Sequence, residues 1–149
     1  MKKLFFTVSG ILLLFCSCIQ NNEQQHNCPV YVPENTVALT TKYISVYPSD
    51  WEEFDQPLER YSYATFELED ITKTVLDYGA VMAYLIVGST DNPLPYIFPL
   101  ETEAGDTIMH NYRFDLEEKA ITFILESSDM DIYIPQDTIQ FKVSVFSPN

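Results

Sequence analysis

Few residues in this chain of 149 are of types that carry chemistry, and their spacing limits what they can do. His110 is the one histidine in the body of the sequence; the other, His26, lies in a polar N-terminal stretch. A Ser-His-Asp arrangement would have to be built around His110, and no spacing around it points to one. His110 also sits on the apolar side of an alternating run, where a packed, hydrogen-bonded histidine is the simpler expectation. With so few nitrogen and sulfur ligands a closed zinc site is not expected. Glu67 with Glu69, and Asp129 with Asp131, stand two residues apart and would share a strand face. Two carboxyl groups about 5–10 Å apart serve glycoside hydrolysis, but neighbours on one strand meet that distance trivially. Asp129 and Asp131 also offer hard oxygens to calcium, without the rest of an EF-hand loop. Trp51, Tyr61 and Tyr63 are the most suggestive set. Exposed together they would make a platform for sugar rings; buried, they would fill a β-core.

Other chemistries are excluded. The chain has only 4 glycines, and GxGxxG, GxxxxGK[ST] and GxSxG are all absent. No cofactor is expected. The 22 acids against 8 bases give a formal charge of -14, which disfavours nucleic acid as a partner. This charge reads first as a solvated surface that keeps the domain soluble.

The N-terminus reads as an address. Lys2 and Lys3 precede an uncharged run, Phe5–Cys18, shorter than the about 20 apolar residues that span a bilayer. A short positive region followed by such a run is the pattern of a secretory signal. Its end, LLFCSC, resembles the lipobox at which lipoprotein signals are cut before the cysteine that takes the lipid. Ser17 supplies the small residue required before Cys18, whereas Phe15 does not do so for Cys16. Residues 1–17 are therefore expected to be a lipoprotein signal, with Cys18 carrying a diacylglyceryl group as the contact with the lipid bilayer. Acyl chains contribute about 0.8 kcal/mol per buried methylene, so two or three long chains hold firmly. Cys28 is left without a partner in its own chain, and no structural disulfide is expected.

Residues 18–35 are polar, rich in Gln and Asn, and carry Pro29 and Pro33; they read as a flexible tether. The domain is expected over 36–149. Its dominant signal is alternation, which means strands with one buried face. Ile108, His110, Tyr112, Phe114 and Leu116 share one face of a strand. A turn at Glu117-Glu118 leads to a second strand with Ile121, Phe123 and Leu125 inward, predicting a hairpin. Ile139, Phe141, Val143 and Val145 make the cleanest strand. Val37–Tyr47 and Tyr61–Leu68 are earlier candidates. Ala80–Val87 is nearly all apolar and is expected mid-sheet with both faces covered. Asp70–Gly79 predicts a short helix, capped by Asp70 and ended by a left-handed Gly79, with Ile71, Val75 and Tyr78 on one face. Pro93, Pro95 and Pro99 place their stretch at a sheet edge, because a proline cannot donate to a ladder.

These elements predict an all-β fold: one antiparallel β-sandwich of about seven strands with one short helix, or alternatively a small closed β-barrel. The lipobox resembles those of Bacteroidota lipoproteins. The aromatic strand with Trp51, the passage ITKTVLDYGAVMAYLIV, the LPY of Leu94–Tyr96 and the terminal TIQFKVSVF resemble small cell-envelope lipoproteins of such bacteria, over most of Tyr43 to Phe146. The resemblance implies a lipid-anchored β-rich domain and brings no activity or catalytic residue. Ile19 follows the lipidated cysteine, where an Asp would resemble an inner-membrane retention signal, so the outer membrane is favoured. Glu23 alone stands where surface-export signals resemble acidic clusters, and the facing side stays open. The expected function is a non-enzymatic binding or assembly module, its partner a glycan or an envelope protein. The alternatives are a carbohydrate-binding module using Trp51, Tyr61 and Tyr63, and a hydrolase, which needs His110 or a carboxylate pair in a concave pocket.

Overall fold

The computed structural model describes residues 36–102 and 104–148; the expected signal and tether, with Cys18 and Cys28, lie outside the described residues. Among the described residues the elements are β1 (Val37–Val46), β2 (Glu52–Gln56), β3 (Glu59–Glu67), α1 (Lys73–Tyr78), β4 (Ala80–Val87), β5 (Thr90–Pro93), β6 (Tyr96–Glu101), β7 (Thr107–Glu117), β8 (Ala120–Ser127) and β9 (Ile139–Pro148). They form a four-stranded sheet, β1-β9-β4-β5, and a five-stranded sheet, β2-β3-β8-β7-β6, antiparallel throughout. The fold is an antiparallel β-sandwich. No ladder joins the two sheets, so the closed-barrel alternative falls away.

The alternating runs become strands because each buries one side. Ile108, His110, Tyr112, Ile121, Phe123 and Leu125 face inward from the five-stranded sheet. Phe141, Val143, Val145, Ala83 and Leu85 meet them from the four-stranded sheet. The hairpin β7–β8 pairs Glu117 with Ala120 across a two-residue turn, Glu118-Lys119. The tip of that hairpin is tied to the chain ahead of α1: the Lys119 N–H donates to the Ile71 carbonyl at 2.7 Å.

Each long side of the sandwich is crossed by the chain. After β1, a 3-10 turn at Pro48–Asp50 carries the chain to β2 in the other sheet. After β5, Leu94 and Pro95 carry it to β6 on the opposite side. The proline-rich stretch thus lies at a sheet edge twice over, with Pro93 ending one edge strand and Pro99 inside another.

Three local expectations need correction. Thr72, not Asp70, caps α1, its hydroxyl accepting the Val75 N–H at 3.2 Å. Gly79 is extended at φ -100 rather than left-handed. A glycine is needed there because a Cβ would sit 2.3 Å from the Phe146 carbonyl oxygen. Val75 is buried but Tyr78 is 79% exposed, since α1 ends before its last turn reaches the core. In addition, β4 lies inside its sheet, between β9 and β5, but only its inner face is covered; Met82 on the outer face is 44% exposed.

Candidate functional site

A slot of about 580 Å³ opens between the sheets at the end where β4 finishes and β9 begins. One wall is aromatic. Tyr96 and Phe98 alternate on β6, and Tyr112 stands opposite Tyr96 on β7, so the pleat turns all three rings inward. Their planes are nearly parallel: Tyr96 to Phe98 is 5.8 Å at 25°, and Phe98 to Tyr112 is 6.0 Å at 13°. The other wall is aliphatic, made of Leu85, Val87 and Ile139. Gly88, Thr138 and Gln140 stand at its rim.

Tyr112 is fixed from behind. Trp51 packs against it at 6.4 Å and Phe141 edge-on at 6.0 Å. Burial pushes the Tyr112 phenol up to about 12, so it stays a neutral hydroxyl at ordinary pH. No lining residue is a histidine, cysteine, carboxylate, lysine or arginine. A volume in the range of small-molecule pockets, an apolar lining and a few hydroxyl and amide groups suit an uncharged, largely apolar ligand. They supply neither a general base nor a nucleophile activated by one.

A second, smaller hollow of about 230 Å³ lies on the outer face of the five-stranded sheet. Phe54, Tyr61 and Tyr63 line it together with Asp115 and Glu117. Phe54 stacks on Tyr61 at 4.7 Å and 13°, while Tyr63 meets Tyr61 edge-on at 73°. The Arg113 guanidinium lies over the Tyr61 ring at 5.7 Å. β2 lies beside β3 on one side and β7 lies beyond β8 on the other, so Tyr61 is held between Phe54 and Arg113. Arg113 also donates to Glu126 at 2.8 Å and to both oxygens of Asp115 at 2.9 Å. The Tyr63 hydroxyl donates to Glu52 at 2.8 Å.

The expected aromatic trio is therefore divided. Tyr61 and Tyr63 share the outer face, but Trp51 is only 7% exposed and belongs to the core. It precedes β2, and the 3-10 turn before it swings the indole inward. Phe54 takes its place on the outer face. Sequence reading missed Phe54 because β2, Glu-Glu-Phe-Asp-Gln, is too acidic to read as a strand; only the i, i+2 aromatics of β3 were visible.

His110 is 6% exposed and lines neither hollow. It is wedged between Phe98 at 5.6 Å and Tyr133 at 4.7 Å. Its Nε2 has no hydrogen-bond partner among the described residues. Burial lowers its pKa, opposed by the charge of Asp129. Carboxylates of both expected pairs are engaged with other groups. Glu69 is paired with Lys119 at 3.0 Å. Asp129 accepts from the Tyr133 hydroxyl at 2.7 Å and from the Asp131 N–H at 3.1 Å, while Asp131 faces Arg60 at 3.8 Å. Among the described residues no group of three or more histidine, cysteine or carboxylate side chains is placed to hold a metal ion. Among the same residues no helix is long and apolar enough to cross a membrane.

The class that fold and site define is an antiparallel β-sandwich with an uncharged slot between its sheets. Comparison with protein-family models, with curated proteins and with solved structures returned no match.

Proposed function

We propose that this chain is a lipid-anchored protein of the cell envelope, held at Cys18 and favouring the outer membrane, whose sandwich is a non-enzymatic binding module. The positive start, the short apolar run and the Ser17-Cys18 junction support the anchor. One observation carries the binding role: the slot between the aromatic ladder of Tyr96, Phe98 and Tyr112 and the aliphatic wall of Leu85, Val87 and Ile139. Its neutral lining selects an uncharged ligand with a flat or chain-like apolar body, bounded by the hydroxyls of Tyr96 and Tyr112.

The uncharged fluorophore N-phenyl-1-naphthylamine tests this reading. Saturable binding with enhanced emission is expected. Val87→Arg places a bulky charge at a half-exposed wall position and is expected to weaken binding at least tenfold while the circular-dichroism spectrum stays unchanged. Equal binding by wild type and variant removes the slot as the site.

A carbohydrate-binding reading is favoured by the outer hollow, where Tyr63 and Phe54 border the hydroxyl acceptors Asp115 and Glu117. Loss of Trp51 from that surface and the covering of Tyr61 on both sides weaken it. A glycan array on the protein decides: retention of a glycan by wild type but not by Tyr63→Ala transfers the binding role to this face.

A further inference from the structure

We infer that two copies of this chain pair edge to edge through β1, antiparallel about a two-fold axis at Thr41. This does not depend on the ligand or the anchor. Among the described residues the two sheets have four edge strands: β1, β5, β2 and β6. Three are guarded against such pairing in the ways edge strands usually are. β5 has only four residues and ends in Pro93. β6 contains Pro99. β2 has five residues, three of them the acids Glu52, Glu53 and Asp55. β1 has only one such device, Lys42, and that charge is held by Asp70 at 3.5 Å. The strand runs for ten residues, VALTTKYISV, with no proline, no acid and Lys42 as its one charge.

The face that β1 borders is also unlike the rest of the surface. Across β1, β9 and β4 the outward rows are Leu39-Phe146-Ala80, Thr41-Ser144-Met82 and Tyr43-Lys142-Tyr84. In a chain with 22 acids, these nine positions hold none. Leu39 is 59% and Tyr43 73% exposed. The one cation, Lys142, is already paired with Asp91 and lies over the Tyr84 ring at 4.5 Å. A bilayer would therefore gain little electrostatic attraction at this face, and an acidic domain is repelled by anionic headgroups.

A second copy fits better, because β1 is complementary to itself. With Thr41 opposite Thr41, Leu39 faces Tyr43 and Val37 faces Ser45 on the outer side. Threonine pairs and aliphatic-aromatic pairs are favourable cross-strand neighbours. On the inner side Lys42 falls opposite Thr40, so like charges do not meet, and Lys42 keeps Asp70 at 3.5 Å. The acidic β2 lies on the same flank, so the five-stranded sheets repel while the four-stranded sheets join. Added salt screens that repulsion and tightens the pair.

Sedimentation equilibrium of the full chain in density-matched detergent tests the pairing. Wild type is expected at twice the chain mass, with dissociation shifting to higher concentration as salt is lowered. Thr41→Lys and Thr41→Glu each set like charges across the axis and are expected at single mass. An equimolar mixture of the two is expected to regain double mass. A wild type that stays single at every concentration overturns the proposal, as does a double mass retained by both variants or not restored by mixing. Hydrogen exchange on wild type decides if the variants lose their β-sheet spectrum. Half of the β1 amides must gain protection as concentration rises, and no change again overturns pairing.

Discussion

Phe123 of β8 lies face to face with Phe141 of β9, ring centroids 3.9 Å apart and planes 8° from parallel. Each ring comes from a different sheet, and both side chains are fully buried. This stack, rather than any backbone ladder, joins the two layers at their centre. Phe123→Ala leaves a ring-sized void between the sheets, where Phe→Ala substitutions cost about 3–5 kcal/mol. The urea midpoint is expected to fall accordingly with an unchanged slope.

Ser62, fully buried on β3, donates its hydroxyl to the Tyr133 carbonyl at 2.7 Å. The bond pins the long connection between β8 and β9 across the inner face. Ser62→Ala leaves that carbonyl without this donor and is expected to cost about 1–3 kcal/mol. Amide exchange around residues 130–135 is expected to quicken before global unfolding.

His110 gives the protein a dependence on acid. Its folded pKa lies below the unfolded value of about 6.5, because burial disfavours the imidazolium. As pH falls through 6.5 the unfolded chain takes up a proton that the folded chain does not. Stability is therefore lost progressively from about pH 7 downward to the folded pKa, and this residue has no effect well above that window. His110→Phe keeps a ring between Phe98 and Tyr133, so its thermal midpoint is expected to vary less than that of wild type between pH 7 and 5.

Gly79→Ala is expected to destabilise the junction of α1 and β4 by about 1–3 kcal/mol, since its methyl would be driven into the Phe146 carbonyl. Ala80→Gly, next in the chain, tests whether the effect belongs to this contact; a loss of similar size there would assign it to general loosening of the junction.

Labelling with radioactive palmitate in the producing cell checks the proposed anchor. Wild type is expected to incorporate label and Cys18→Ala none. Label retained by Cys18→Ala places the lipid elsewhere.

Strands with one buried face were readable because alternation records burial directly: Thr107–Leu116 and Ile139–Val145 match β7 and β9 within a few residues. β2 and β5 were not. The first is acidic with a lone Phe54, and the second spans only Thr90–Pro93, so neither leaves a period to detect. The helix was visible, but its cap moved to Thr72 because the chain makes a turn through Asp70 before helical bonding begins. The slot was not legible. Its walls come from residues near 86, 97, 112 and 139, which topology alone brings together. Trp51 shows the same limit: residue type named a ring, but only the 3-10 turn decided which way it faced.

The pairing of Val37 with Pro148 fixes which end of the sandwich the first strand starts from. The chain enters the sandwich at the finish of β9, whereas the slot opens at that strand's beginning, ten residues and about 30 Å away. Changes at the entry of β1 and changes in the slot therefore share no partner, and their effects on stability are expected to add.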